Sequence, residues 1–152
     1  MNIQFVRFLC LGALYLASGA AVPAATLDPA SLVTPAEASA LLGGDATLEV
    51  SNVQAMYPGS VDFTYWTKNK SRSLAVQLYL DPTGEMFANM RRTLKANHPD
   101  ADQTPCAAGN VCFMQGERLW ATKGKWFVHM DTGRINTGKM EDLARSIMTR
   151  IP

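Results

Sequence analysis

Several residue types that mark common function classes are scarce in this sequence. The 152 residues include two histidines and three cysteines, and 14 basic against 13 acidic residues leave a net charge of +1. This near-balance argues against a general nucleic-acid-binding protein, which carries a basic excess, and against a polybasic module for lipid surfaces. The 47% hydrophobic and 18% charged residues are typical of one globular domain.

Motifs of the common enzyme classes are also missing. The chain has no Gly-x-Ser-x-Gly nucleophile elbow, and Gly43-Gly44 follows a helical pattern instead of opening one, as a phosphate-binding loop would. The acidic residues are scattered and mostly lie close to basic residues, which provides no carboxylate pair for glycoside hydrolysis. We therefore expect a protein that is not an enzyme, has no catalytic residues and needs no cofactor.

The apolar run near the N-terminus is too short to cross a membrane. Residues 8–17 are apolar, Arg7 precedes them and small residues follow, whereas a bilayer requires about 20 apolar residues. This three-part plan is typical of a secretory signal peptide, with residues 22–24 (Val-Pro-Ala) as the cleavage motif and residues 18–20 as a second candidate. A buried N-terminal helix is the alternative.

Cleavage after residue 24 would leave two cysteines, Cys106 and Cys112. An even pair in an oxidising compartment is most simply a disulfide. A redox centre is the competing interpretation, but the spacing is not Cys-x-x-Cys. We expect residues 1–24 to be a signal peptide and residues 25–152 to form a single domain, periplasmic or secreted, without a membrane anchor after cleavage.

Local patterns predict the elements of this domain. Thr34-Pro35-Ala36-Glu37 is a capping box that begins a short helix ending at Gly43-Gly44. Alternating apolar residues predict strands, at residues 47–54, 61–67, 73–80, 111–115, 118–123 and 125–131. Asp81 is expected to cap a middle helix at Pro82, whose apolar stripe is Met86, Phe87, Met90 and Leu94.

The last helix has the clearest pattern in the chain. Its apolar residues recur at the i, i+3, i+4 spacing of a packed face, namely Met140, Leu143, Ala144, Ile147, Met148 and Ile151. The element order is therefore helix, three strands, helix, three strands, helix. This order predicts an α+β fold with a mostly antiparallel sheet packed with helices.

Three segments of the chain resemble a group of bacterial domains. Residues 32–44 (Leu-Val-Thr-Pro-Ala-Glu-Ala-Ser-Ala-Leu-Leu-Gly-Gly), the lysine–glycine turn within residues 119–128, and residues 143–148 are similar to small secreted and lipoprotein domains described as sensor-like or of unknown function. The resemblance spans most of residues 30–151 and implies a PsbP/Mog1-like sandwich. It carries over no catalytic residue, because the family has no general catalytic motif.

The chain departs from this family at two points. It lacks a lipid-anchor cysteine, since Cys10 lies too early and follows Leu9. The pair Cys106 and Cys112 also stands in place of a cysteine pairing near the start of such domains.

The soft and borderline metal ligands are dispersed in the sequence. His129 and Met130 are neighbours on one strand, so their side chains point to opposite faces. His98 lies at the C-terminal end of a predicted helix, where it would interact favourably with the helix dipole. Met114 is distant from it in the sequence. Other methionines lie on helical core stripes, where methionine commonly fills gaps: Met86, Met90, Met140 and Met148. We expect no metal site.

Aromatic residues crowd into the predicted strands. Trp66 points away from the apolar face of its strand, and three basic residues follow it at the predicted hairpin tip: Lys68, Lys70 and Arg72. On residues 125–131, one large aromatic, Trp126 or Phe127, faces outward unless a helix covers the second face of the sheet. Exposed aromatics beside cations commonly anchor interfaces.

These observations predict an exported, non-enzymatic binding domain of the bacterial envelope. A protein-interaction module is favoured, with another envelope protein as its partner and with Trp66, Lys68, Lys70 and Arg72 as its interface. The alternative is a periplasmic small-ligand or metal-binding domain with a pocket between sheet and helices, for which the candidate residues are Tyr57, Trp120 and His129. The sequence leaves the ligand and the oligomeric state open.

Overall fold

The computed structural model of the protein describes residues 27–50, 59–101, 103–133 and 137–152. The predicted signal peptide at residues 1–24 and the pocket candidate Tyr57 lie outside these ranges. The elements in chain order are helices α1 (Pro29–Leu32) and α2 (Pro35–Leu42), strands β1 (Ala46–Val50), β2 (Val61–Thr67) and β3 (Ser73–Leu80), helix α3 (Glu85–Asn97), strands β4 (Thr104–Pro105), β5 (Val111–Gln115), β6 (Arg118–Lys123) and β7 (Trp126–Asp131), and helix α4 (Thr137–Arg150).

The described strands form one seven-stranded sheet in the order β1-β2-β3-β7-β6-β5-β4. Every neighbouring pair is antiparallel. The pairing of β3 with β7, in which Gln77 lies opposite His129, joins the N-terminal strands to the C-terminal strands. The predicted α+β class with a mostly antiparallel sheet is confirmed.

The sequence patterns above predict neither of two short elements, α1 and β4. Helix α1 forms because the side chain of Asp28 accepts a hydrogen bond from the backbone N–H of Ala30 (3.2 Å) and Pro29 occupies the first helical position. Strand β4 is a two-residue pairing of Thr104 and Pro105 with β5. Strand β1 begins at Ala46 rather than residue 47, and the second half of its predicted range lies outside the described residues.

The start of α3 corrects the prediction that the helix begins at Pro82. Gly84 has a left-handed φ of +74° and its N–H donates to the carbonyl of Asp81 (3.2 Å), so the intervening residues form a turn. The carboxylate of Asp81 still stabilises the N-terminus of the helix, because it accepts hydrogen bonds from the N–H groups of Met86 (3.3 Å) and Phe87 (2.9 Å). Asp81 therefore caps α3 from outside the helix.

The first face of the sheet, which carries Phe63, Val76 and Val128, packs against α1, α2 and α4. The capping box at α2 forms as predicted, with the side chains of Thr34 and Glu37 each accepting from the other's backbone N–H. The predicted apolar face of the last helix is buried at Met140, Leu143, Ala144, Ile147, Met148 and Ile151.

Helix α3 packs on the second face, which carries Asp62, Gln77 and His129. It buries a separate aromatic cluster, Phe87, Phe113, Trp120 and Phe127, against which Tyr79, Met86, Met90 and Leu94 pack. Trp126 and Phe127 are 6% and 4% exposed on opposite faces of β7. Neither aromatic of this strand faces outward, because a helix covers the second face, which is the alternative that the sequence left open.

The predicted disulfide between Cys106 and Cys112 is present and joins β5 to the loop that precedes it. The backbone N–H of Cys106 donates to the carbonyl of Cys112 (3.2 Å), and that of Ala107 donates to the carboxylate of Glu141 on α4 (3.0 Å). The loop is thus held both to the sheet and to the last helix.

A guanidinium near the end of α4 connects the helices of the first face. Arg150 donates to both carboxylate oxygens of Glu37 on α2 (2.8 and 2.6 Å) and to the carbonyl of Leu32 on α1 (2.8 Å). These hydrogen bonds from Arg150 lower the pKa of Glu37 from 4.5 to about 2, against the opposing effect of burial.

We expect the free energy of unfolding to fall as the pH drops from 4.5 towards 2, because Glu37 is protonated more easily in the unfolded chain. The stabilisation is fully present above the pKa of Glu37 in the unfolded chain and is lost as the pH falls through its pKa in the folded protein. It amounts to about 1–2 kcal/mol after allowance for solvent screening. Urea unfolding over this pH range measures it. Glu37→Gln should flatten the pH dependence, whereas Arg145→Gln on the same helix as Arg150 should not. An unchanged slope in Glu37→Gln would contradict the assignment.

Candidate functional site

A row of side chains crosses the second face of the sheet, one from each of five neighbouring strands. In spatial order they are Phe113 on β5, Trp120 on β6, His129 on β7, Gln77 on β3 and Asp62 on β2. Residues in register on adjacent antiparallel strands lie close enough for direct side-chain contact. The antiparallel register therefore builds this row from segments that are far apart in the sequence.

The first half of the row is an aromatic stack. The rings of Phe113 and Trp120 are stacked with centroids 5.0 Å apart, and those of Trp120 and His129 with centroids 5.1 Å apart. The guanidinium of Arg91 on α3 lies 5.3 Å from the centroid of Phe113. Trp120 is therefore held between two rings, which orients the imidazole of His129.

The second half of the row is a hydrogen-bonded chain. The amide nitrogen of Gln77 donates to the carboxylate of Asp62 (3.0 Å), so the amide oxygen of Gln77 faces Nδ1 of His129 at 2.8 Å. Because that oxygen can only accept, Nδ1 carries the hydrogen and donates it. Burial lowers the pKa of His129 and outweighs the opposing attraction of Asp131. In the neutral ring, Nε2 then holds a free lone pair.

Nε2 of His129 is buried and has no hydrogen-bond partner among the described residues. The residue His129 lines a cavity of about 380 Å³ between α3 and the sheet. Met86, Met90 and Leu94 line the helix side of this cavity, and the sheet side includes Trp120 and Phe127. Buried polar groups in proteins are almost always paired, so a buried acceptor without a partner beside a cavity requires an explanation.

A second cavity of about 440 Å³ adjoins the first at the end of α3. The two share Leu94, Arg118 and Trp120, and the second also borders the side chain of Gln115, whose amide oxygen is buried without a partner in the described part of the chain. We call the two cavities together the α3 cleft. The charge of Arg118 is paired, since its Nε donates to the carboxylate of Asp131 (2.8 Å).

Known proteins give no guide to the function of this cleft. Comparisons of the chain with protein-family models, with curated proteins and with solved structures gave no match. Among the residues that the structure describes, no three His, Cys, Asp or Glu side chains converge as a metal site. Within the same residues, no helix is long and apolar enough to cross a membrane.

The structure brings two of the predicted pocket residues together. Trp120 and His129 are stacked and both line the α3 cleft. Sequence reasoning missed Gln77 and Asp62, which set the protonation of the imidazole. The contact between Gln77 and Asp62 could have been predicted, because the predicted hairpin of residues 61–67 and 73–80 places these two residues opposite each other.

The predicted interface residues lie at the β2–β3 hairpin tip, outside the aromatic cluster under α3. Trp66 is half-buried on the second face, and the ammonium of Lys70 lies 5.9 Å from its ring centroid. Lys68 is exposed and forms an ion pair with Asp45 (2.7 Å), which lowers the pKa of Asp45 and raises that of Lys68.

The remaining cations of the tip also have partners. Arg72 donates to the carbonyl of Leu42 at the end of α2 (2.9 Å), and the ammonium of Lys70 lies 4.0 Å from the carboxylate of Glu49 on β1. Arg72 thus has a structural role in capping α2. The tip is less basic than its own sequence indicates, because acidic residues from the segment after α2 face it.

Proposed function

We propose that the protein is an exported binding domain of the bacterial envelope that holds a compact ligand in the α3 cleft and catalyses no reaction. The observation that carries this proposal is the buried, unpartnered Nε2 of His129 in the described structure. A buried polar atom without a partner costs about 1–3 kcal/mol. A ligand that donates a hydrogen bond to Nε2, or is coordinated by it, would remove that cost.

The shape and lining of the cleft support the proposal. Small-molecule sites are concave, mostly apolar and carry a few polar groups that fix orientation. The cavity of about 380 Å³ has this character, with Trp120 and Phe127 as aromatic walls and with His129, Gln77 and Arg118 as polar groups. The chain from His129 through Gln77 to the carboxylate of Asp62 makes Nε2 a stronger acceptor.

The compartment and the finer fold are part of the same proposal. Export follows from the signal-peptide pattern at residues 1–24, and the Cys106–Cys112 disulfide suits an oxidising compartment. We place the domain with the PsbP/Mog1-like sandwiches, a proposal supported by helices on both faces of an antiparallel sheet.

Replacing the polar pair under the cleft tests the proposal. The double variant Gln77→Met and His129→Phe should raise the free energy of unfolding by about 1 kcal/mol, because it removes the buried unpaired nitrogen together with its polar neighbour. It should also lose the ligand, which native mass spectrometry of protein taken from its compartment detects as extra mass. Thr64→Val, on the same face outside the cleft, is the control. Wild-type protein without extra mass, or a double variant that keeps it, would contradict the proposal.

Protein interaction through the hairpin tip is the second candidate function. The contact of Lys70 with the half-buried ring of Trp66 favours it, since such cation–aromatic pairs are common in interfaces. Trp66→Ala with Lys70→Ala should leave folding intact and abolish recovery of a partner from an envelope extract. Arg72 is left unchanged because it caps α2. An unchanged set of recovered proteins would exclude this interface.

A further inference from the structure

We infer that the α3 cleft holds a cuprous ion, bound by Nε2 of His129 and by the thioether sulfurs of Met86 and Met90. This inference rests on the proposed function and names the ligand of the same site. All three side chains line one cavity of about 380 Å³. One cavity therefore brings the three candidate ligands together, and the side chains that cover Nε2 must shift for the ion to reach it.

The two methionines are presented together by α3. Met86 and Met90 are four residues apart on the helix, which places them on one face, one turn above the other. The carboxylate of Asp81 accepts from the N–H of Met86 and so holds this end of the helix over the sheet. Both side chains are half-buried, and the three rotatable bonds of methionine let each sulfur turn towards the cavity.

The imidazole has the arrangement found in metal-binding histidines. Such residues usually donate their second ring N–H to an oxygen acceptor, which fixes the tautomer and raises the basicity of the ligating nitrogen. Here Nδ1 donates to the amide oxygen of Gln77, which is in turn held by the carboxylate of Asp62. Nε2 keeps its lone pair, is buried and has no partner in the described structure, while the residue lines the cavity.

The chemistry of the donors selects the ion. Thioether sulfur is a soft ligand that favours Cu(I), whereas hard divalent ions such as Mg²⁺ and Ca²⁺ prefer oxygen ligands. The walls formed by Leu94, Trp120 and Phe127 are apolar, and burying a single positive charge there costs less than burying two. The nearby cation Arg118 is paired with Asp131 (2.8 Å), which reduces its repulsion of a bound ion.

Metal titration of the folded, oxidised protein tests the inference. Cu(I) is added under anaerobic conditions with ascorbate and without thiols, so that the Cys106–Cys112 disulfide stays closed, and a coloured Cu(I) chelator competes for the ion. We expect binding of one equivalent. In protein labelled with ¹³C at the methionine methyl groups, Ag(I), which replaces Cu(I) because it does not oxidise in air, should shift the signals of Met86 and Met90 and leave Met114, on the first face, unchanged.

Matched variants show which groups bind the ion. Gln77→Leu should weaken Cu(I) binding by about 10- to 100-fold, the usual effect of removing the partner of a ligating histidine. Met86→Leu with Met90→Leu should weaken it further and leave the fold intact, whereas Met114→Leu should have no effect. No saturable binding, shifts confined to other methionines, or wild-type affinity in the double leucine variant would overturn the copper assignment.

The two proposals fail in distinguishable ways. If copper does not bind, but protein from its compartment carries an organic mass that the Gln77→Met and His129→Phe variant loses, the binding function stands and the ligand is a hydrogen-bond donor. If neither copper nor another ligand occupies the cleft, both proposals are wrong.

Discussion

Gly109→Ala is expected to lower the free energy of unfolding by about 4 kcal/mol or more, an exceptional loss for one added methyl group. A Cβ at this position would lie less than 3.0 Å from the carbonyl oxygen of Thr122 on β6. The strand cannot withdraw easily, because the same oxygen accepts the N–H of Asn110 at 2.6 Å. Gly109 also has a φ of +75°, and this left-handed conformation adds about 1–2 kcal/mol for a residue with a side chain.

Two other glycines separate these contributions. Gly116 has a φ of +61°, and a Cβ added there would meet no atom within 4 Å, so Gly116→Ala reports the conformational cost alone. Gly44 has open space and no positive φ, so Gly44→Ala should change stability little. Urea unfolding of the three variants measures the differences. If Gly109→Ala costs no more than Gly116→Ala, the loop closed by the disulfide moves away from β6, and the expectation of a rigid contact is wrong.

The elements that the sequence predicts best are those specified by neighbours along the chain. Strands β2 and β3 have the predicted bounds, residues 61–67 and 73–80, because their alternation of apolar and polar residues is local. Helix α2 forms with its capping box for the same reason. The start of α3 cannot be predicted from a local pattern, because Asp81 caps the helix from six residues before Phe87. The turn between them is made possible by the left-handed conformation of Gly84.

The candidate site depends on contacts that no local pattern contains. His129 and Gln77 are 52 residues apart, and they meet only because β3 pairs with β7. Without that pairing, the hydrogen that fixes the imidazole tautomer cannot be assigned. The helical spacing of Met86 and Met90 predicts core residues, and both do pack against the aromatic cluster. The cavity that they also line is a property of the assembled layers.

The charge of the β2–β3 hairpin tip also cannot be predicted from its local sequence. Lys68 and Asp45 are 23 residues apart, so the sequence around the tip contains cations without their partners. A basic segment in one stretch of sequence is therefore a weak guide to surface potential, since an adjacent strand or loop can supply the opposite charge.

Trp120→Ala should lower the free energy of unfolding by about 3–5 kcal/mol, the usual cost of removing a buried tryptophan. The side chain is 3% exposed and is stacked between Phe113 and His129. It also borders both cavities of the α3 cleft, so its removal merges them and leaves the ring of His129 without support. We therefore expect the variant to lose its ligand even in the fraction that remains folded.

Trp126→Ala is the matched control for this prediction, because Trp126 is 6% exposed on the opposite face of the sheet and takes no part in the cleft. Its loss of stability should be similar, yet the folded protein should keep its ligand, which native mass spectrometry compares for the two variants at a temperature where both are folded. A third variant, Trp120→Phe, keeps a ring against His129 and should retain part of the binding. Equal loss of ligand in Trp120→Ala and Trp126→Ala would mean that binding follows stability alone, and the α3 cleft would then not be the binding site.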